Sequence, residues 1–308
     1  MGSLVPLPGC GSTLRRWEFL ASVGALDLSL ARVLEPHLDA LAILGEAAVV
    51  PAPQATWGVY AAEGPGTRLE AIQTRRGESW RLTGHKPWCS LAGRVSHALV
   101  TAWVGEGARG LFAVDLRDPG VVIEDGAWTP TGLVDIVTTS LVLEGVPALP
   151  VGRPGWYLDR AGFGWGGMGV AAVWYGGAVG LARRLFTQLG HREPDQIALM
   201  HLGVVDAGLG AARAVLASAA AEVDGGRAAG ADGAVLAARV RQVVVDASEM
   251  VMQSVAHALG PAPLSQEPEH ARRVADLALY VRQHHAERDQ ATLGRLVLDL
   301  QPDGEPPW

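Results

Sequence analysis

Residues 81–93, RLTGHKPWCSLAG, gather side chains whose types and spacing suit the binding of a flat cofactor ring. Trp88 and Ser90 stand two apart on what reads as a strand, so the indole and the hydroxyl share one face; on these residues alone, a core tryptophan beside a strand hydroxyl is the plainer reading. The same stretch holds Lys86, the chain's single lysine. Two further patterns carry chemistry-bearing types. Residues 162–167, Gly-Phe-Gly-Trp-Gly-Gly, match G-x-G-x-x-G, but dinucleotide binding needs a strand before the glycines and an acid about twenty residues beyond. Helix-like sequence lies on both sides here, so the glycines read as places of close helix packing. His284, His285, Glu287 and Asp289 include metal-ligating types. Adjacent histidines do not share a helix face, however, and only Asp289 falls about one turn from His285, so no metal site is expected. The sequence contains no G-x-S-x-G, H-E-x-x-H or P-loop pattern, so the common hydrolase and phosphoryl-transfer signatures are absent.

The elements that must position these residues follow from composition and pattern. With 308 residues, 49% hydrophobic and 19% charged, the chain is expected to fold around a substantial core. Its net charge is −7 and it has no basic run, so nucleic acid is not an expected partner. Cys10 and Cys89 lie far apart in no metal-ligand spacing, as in a reduced, cytoplasmic protein. Pro6 and Pro8 interrupt the amino-terminal apolar stretch and no basic residue precedes Arg15, so no signal peptide is expected. Residues 161–182 carry no charge and are long enough to cross a bilayer, but their glycine and alanine content favours a buried helix over a membrane span.

Helical periodicity runs over residues 13–46, where Leu14, Trp17, Phe19, Leu20 and Val23 begin an apolar face and Pro36 marks a break or a new first turn. Short β-type runs follow at 57–61, 69–74, 79–83, 98–104, 111–116, 121–124 and 140–143, separated by glycine and proline. They predict an antiparallel barrel or sandwich, and the lack of intervening helices excludes a doubly wound α/β domain. Four long helices are expected at 156–190, 195–224, 232–259 and 268–298, joined briefly and hence bundled. The expected fold class is α+β multidomain: a short amino-terminal helical segment over 1–48, a central β domain over 49–152, and a carboxy-terminal four-helix bundle over 153–308.

This order, together with several segments, resembles the flavin-dependent acyl-CoA dehydrogenases. Residues 80–92, W-R-L-T-G-H-K-P-W-C-S-L-A, are similar to the family's W-x-L-x-G-x-K-x-W-I-T-N-A. Residues 59–67, V-Y-A-A-E-G-P-G-T, resemble a shortened T-E-P-G-A-G-S-D loop, and residues 140–147, S-L-V-L-E-G-V-P, resemble L-V-F-E-D-V-x-V-P. The resemblance covers about residues 45–298. It implies FAD held between the β domain and the bundle, with a carboxylate removing the α-proton of an acyl-CoA thioester while the β-hydride passes to the flavin. In that implied arrangement Trp88 lies along the flavin and Ser90 hydrogen-bonds near its N5. Ala61, Ala62, Gly66 and Thr67 then contact the flavin or its pyrophosphate. Arg184 and Gln196 match positions that reach a neighbouring subunit's flavin, so the resemblance also implies a homo-oligomer, dimer or tetramer, or a complex with a full-length paralogue.

The departures bear on the reaction. The amino-terminal helical segment is about half the family's length; Ala62 replaces a threonine and Arg68 an aspartate, and residues 257–261, H-A-L-G-P, stand for Q-x-x-G-G. The position of the usual catalytic glutamate falls on Arg282, which cannot accept a proton. Some relatives carry the base at an L-E-R segment, and Leu158-Asp159-Arg160 resembles it, making Asp159 the candidate base. Two further readings of the same scaffold stand beside dehydrogenation. One is a catalytically lapsed subunit or binding scaffold; the other is a flavin-dependent oxygenase or oxidase with His284 or His285 near the ring.

Overall fold

The computed structural model describes residues 5–74, 79–124, 126, 128–191 and 193–300. Residues 1–4 and 301–308, at the ends of the expected first and last domains, lie outside the described residues. Helices α1 (Thr13–Leu26) and α2 (Leu28–Glu46) come first. The break between them falls at Asp27, where the chain is extended and the carboxylate accepts the Leu30 N–H at 2.8 Å. Pro36, expected at a break or a new first turn, sits inside α2. An interior proline costs a helix about 3 kcal/mol, and burial of Leu38, Ala40, Ile43 and Leu44 offsets that cost.

Seven strands follow: β1 (Trp57–Tyr60), β2 (Leu69–Gln73), β3 (Trp80–Ser90), β4 (His97–Val104), β5 (Ala108–Asp115), β6 (Val121–Glu124) and β7 (Thr138–Val151). Pairings β4–β2, β2–β3, β3–β7, β7–β5 and β5–β4 close a ring, with β1 beside β4 and β6 beside β7. The barrel is not wholly antiparallel: β1–β4 and β2–β4 are parallel. Closing the ring brings β4 beside β2, and this pairing removes a free edge at the cost of strand alternation. Leu82, Cys89, Val100, Phe112, Leu141 and Val146 are among the side chains that fill the interior. A second cluster, with Ile43 and Leu44 of α2 against Trp57, Leu99, Leu111, Val151 and Tyr157, covers the outside.

The remaining helices are α3 (Trp156–Asp159), α4 (Ala161–Leu189), α5 (Gln196–Asp224), α6 (Gly230–Leu259), α7 (Ala262–Gln266), α8 (Pro268–Tyr280) and α9 (Glu287–Asp299). The helix expected over 156–190 is interrupted at Arg160, whose extended backbone ends α3 while its guanidinium reaches Glu46 at 2.7 Å. The helix expected over 268–298 is also divided, by a 3-10 turn (Val281–Gln283) and by Ala286 at φ +47°. There the buried His284 accepts the Ala286 N–H on Nδ1, a local bond that competes with helix continuation.

The described chain divides into two compact units. One contains Arg32–Thr129 and Val134–Phe163, hence the barrel; the other contains Val5–Ala31, Pro130–Leu133 and the chain from Gly164 onward. In the helical unit, α1 and α4 approach closely through glycine: a Cβ on Gly24 would lie 2.6 Å from the Val173 carbonyl oxygen. The G-x-G-x-x-G run serves packing of this kind, with Gly164 facing Ala237 and Gly167 facing Arg241 on α6. The uncharged stretch 161–182 belongs to α4, where Trp174 is fully buried and meets Tyr280 edge-on at 6.4 Å. Among the described residues, the helix long and apolar enough to cross a membrane, by length and composition alone, is α5.

Candidate functional site in the barrel unit

Within the barrel unit, β3 turns Trp88 outward. The strand begins with a regular antiparallel ladder to β2, then shifts register against β7 between Lys86 and Cys89. At this bulge Lys86 and Pro87 are both buried, and Trp88 takes φ +61°. A left-handed conformation in a bulky residue costs on the order of 1–3 kcal/mol. It leaves the indole 60% exposed while Cys89, next in the chain, is fully buried. The alternation read from the sequence therefore resumes only after the bulge: Trp88 out, Cys89 in, Ser90 partly out.

Ser90 is held from three sides. Its Oγ lies 2.9 Å from Thr138 Oγ1 and receives Arg32 at 3.4 Å, and its carbonyl accepts the Tyr60 hydroxyl at 2.9 Å. Thr138 Oγ1 also lies 3.0 Å from the Ile136 carbonyl, which can only accept. The Thr138 proton is thus committed, Ser90 donates to Thr138 and accepts from Arg32, and one Ser90 lone pair remains as an acceptor. Arg32 is paired in turn with Glu35 at 3.6 Å.

The loop 61–67 is fastened to the same strand. Lys86, 1% exposed, donates to Glu63 at 2.8 Å and to Thr101 at 2.9 Å, while Arg109 approaches Glu63 at 3.5 Å. Burial drives the Lys86 ammonium pKa down, and the Glu63 pair opposes that shift. Burial raises the Glu63 carboxyl, but Lys86 and Arg109 outweigh it and hold the pKa below the ordinary value. Thr67 closes the loop by donating its N–H and hydroxyl to the Gly64 carbonyl at 3.2 and 2.9 Å. Gly66 supplies the positive φ of +72° that the turn requires. Thr101 donates to the Ala61 carbonyl at 3.3 Å, and Ala62 is exposed. Cys89 is no nucleophile, since burial pushes its thiol up to about 12.

The structure thus brings Ala61, Ala62, Gly66 and Thr67 onto the strand that carries Trp88 and Ser90, through Glu63–Lys86 and Tyr60–Ser90. The lone lysine is an anchor of this arrangement. The roles of Arg32, Thr138 and Glu63 are not legible in the sequence; the one signal it offers is that Lys86 is the chain's single lysine, and only its burial shows that it demands a carboxylate partner.

Asp159 also belongs to the barrel unit, at the end of α3. Its side chain is 62% exposed and pairs with Arg153 at 3.4 Å. It is neither desolvated nor a helix cap, the α3 cap being Gly155. Arg184 and Gln196 belong to the helical unit. Arg184 makes a bidentate pair with Glu267 at 2.8 and 2.7 Å, which holds the Glu267 carboxyl below its ordinary pKa. Gln196 opens α5 and is exposed. Arg282 pairs with Glu249. His284 is buried, its pKa lowered by burial, and Asp289 stands 3.9 Å from His284 and 3.4 Å from His285. Among the described residues, no three metal-ligating side chains converge.

No family model matches the chain, and no curated protein sequence matches it. Solved structures do. KijD3 in complex with FMN and dTDP-3-amino-2,3,6-trideoxy-4-keto-3-methyl-D-glucose has a TM-score of 0.78 at 20% identity, covering 94% of this chain and 79% of its own. FMN-bound TdsC from Paenibacillus sp. A11-2 has a TM-score of 0.80 at 18% identity, covering 92% and 83%. Butyryl-CoA dehydrogenase from Megasphaera elsdenii has a TM-score of 0.80 at 17% identity, covering 93% and 82%. At these identities the likeness is one of fold, and the helix–barrel–helix chain described above has the acyl-CoA dehydrogenase fold.

Proposed function

We propose that this chain is a flavin-dependent oxidoreductase whose barrel unit holds the flavin ring against Trp88 and Ser90. The observation that carries the proposal is Trp88, a large aromatic held 60% exposed in a left-handed conformation beside an anchored hydroxyl. Strained residues of this kind cluster at ligand-binding sites, and here the strained side chain is also large, aromatic and turned to solvent. The residues fit the group: the indole offers a flat face, and Ser90 offers a lone pair to a ring N–H. The turn at Gly66 and Thr67, with Ala61 and Ala62, would face the phosphate-bearing chain. Bound flavin would supply hydride or oxygen chemistry. The likeness to FMN-bound TdsC and KijD3 supports FMN as strongly as FAD.

For the reaction, removal of an acyl-thioester α-proton needs a carboxylate whose surroundings raise its pKa. Asp159 is solvated and paired with Arg153, and the alternative position is Arg282. Those two facts favour an oxygen-using reaction over α,β-dehydrogenation, and TdsC, which shares this fold, is a dibenzothiophene monooxygenase. Dehydrogenation of an acyl-CoA is the second reading, and it rests on Asp159 alone. The test is titration of the purified protein with FMN and with FAD, followed by flavin fluorescence. Uptake of either supports the proposal, and no uptake overturns it. On the loaded protein, bleaching by an acyl-CoA without air favours dehydrogenation. No bleaching, with rapid reoxidation of chemically reduced flavin by oxygen, favours the oxygenase.

A further inference from the structure

Helix α2 brings a charge pair to the hydroxyl of the proposed flavin site. Arg32 and Glu35 stand about one turn apart, the guanidinium 3.6 Å from the carboxylate, and their side chains are 15% and 11% exposed. The same guanidinium donates to Ser90 Oγ at 3.4 Å. Arg32, Glu35, Tyr60, Ser90 and Thr138 all belong to the barrel unit.

Stability does not account for the pair. Taking two charges out of water costs about as much as their attraction returns, and apolar residues of similar volume often serve a core as well. The Lys86–Glu63 pair fastens a loop, whereas Arg32 is bonded to the hydroxyl that a ligand would meet. Two other titratable neighbours add no charge there. Burial holds the Tyr60 phenol above its ordinary range, with Cys89 adding to the rise and Arg32 opposing it. Burial also pushes the Cys89 thiol up to about 12. Both stay protonated at neutral pH, so Arg32 brings positive charge to Ser90 and Glu35 tempers it.

Charge at that place has a redox consequence. Uptake of two electrons and one proton turns a neutral flavin ring into an anion, so a nearby cation stabilises the reduced ring more than the oxidised one. A nearby carboxylate does the reverse. In a partly buried site one such charge changes the balance roughly ten-fold. We propose that Arg32 and Glu35 set the reduction potential of a flavin bound against Ser90, the guanidinium favouring the reduced ring and the carboxylate restraining that preference. This rests on the flavin assignment proposed for the barrel unit. Both act by their charge and by positioning Ser90, and neither takes part in a chemical step.

The experiment is an anaerobic potentiometric titration of the flavin-loaded full chain with dithionite and mediator dyes. By linkage, the midpoint potential reports the ratio of the affinities for reduced and oxidised flavin. Arg32→Gln should lower that ratio about ten-fold, which is about 30 mV downward for a two-electron couple. Glu35→Gln keeps the side chain's shape and removes its charge, so it should raise the potential by about 15 mV, a roughly three-fold change. Arg32→Lys keeps the charge and should stay closer to the parent than to Arg32→Gln. Shifts of opposite sign are a result that mere loosening of α2 would not give. Should Arg32→Gln fail to fold by circular dichroism, the sign of the Glu35→Gln shift decides. Variants that keep the parent's potential, or that both move it the same way, overturn this inference while flavin uptake by the parent leaves the functional reading standing. A parent chain that takes up neither FMN nor FAD overturns both.

Discussion

Trp88 and the outer face of α5 both hold apolar surface away from a core, but their polar surroundings differ. Around Trp88 the polar groups are fastened to one another: Ser90 to Thr138 and Arg32, Tyr60 to Ser90, Glu63 to Lys86 and Arg109. On the exposed face of α5, which carries Leu199, Gly203, Ala207, Gly210 and Ala214, Asp206 and Arg213 form no such network among the described residues. A site whose donors and acceptors are already locked suits a small rigid ligand, because binding then costs little ordering.

The comparison breaks most readily at its anchor. Lys86→Met should cost about 2 kcal/mol of stability, since it removes the charged hydrogen bond to Glu63 and the bond to Thr101, while Arg109 stays beside the carboxylate. Denaturant unfolding measures the loss, and a change below about 1 kcal/mol would mean that the β3–loop junction is not locked. Trp88→Ala should weaken flavin binding roughly ten-fold, worth about 1.4 kcal/mol, as read by fluorescence titration. Ser90→Ala should weaken binding of reduced flavin about five-fold and of oxidised flavin less, because Ser90 offers an acceptor. Equal losses would show that the hydroxyl donates. The Glu63 pair also sets a pH dependence. Its folded pKa lies below the ordinary value, so its contribution is present above the ordinary glutamate range and is lost as pH falls through the folded pKa. Glu63→Gln should flatten the acid limb of the melting temperature measured by calorimetry. Gly203→Ala should act least: a Cβ there meets nothing within 4 Å among the described residues, so it should stabilise the chain by up to about 1 kcal/mol in denaturant unfolding.

Much of this was legible in the residues themselves. Seven β runs and the helices on either side followed from periodicity, and the extent of β6 was read without error. Pro36 and the segment 268–298 were misread because burial of an apolar face and a local histidine bond overrode the local signals. The strand carrying Trp88 was seen, but not its bulge, since a register shift depends on the pairing with β7.

The sequence by itself determined which side chains alternate, where helices can start, and that an aromatic and a hydroxyl stand two apart. Those are properties of spacing along one chain. Only the tertiary structure decided that Lys86 is an anchor and that Asp159 is solvated. It also decided that α5 shows a second apolar face. Burial and partnership depend on residues distant in sequence, so a single stretch of chain cannot disclose them.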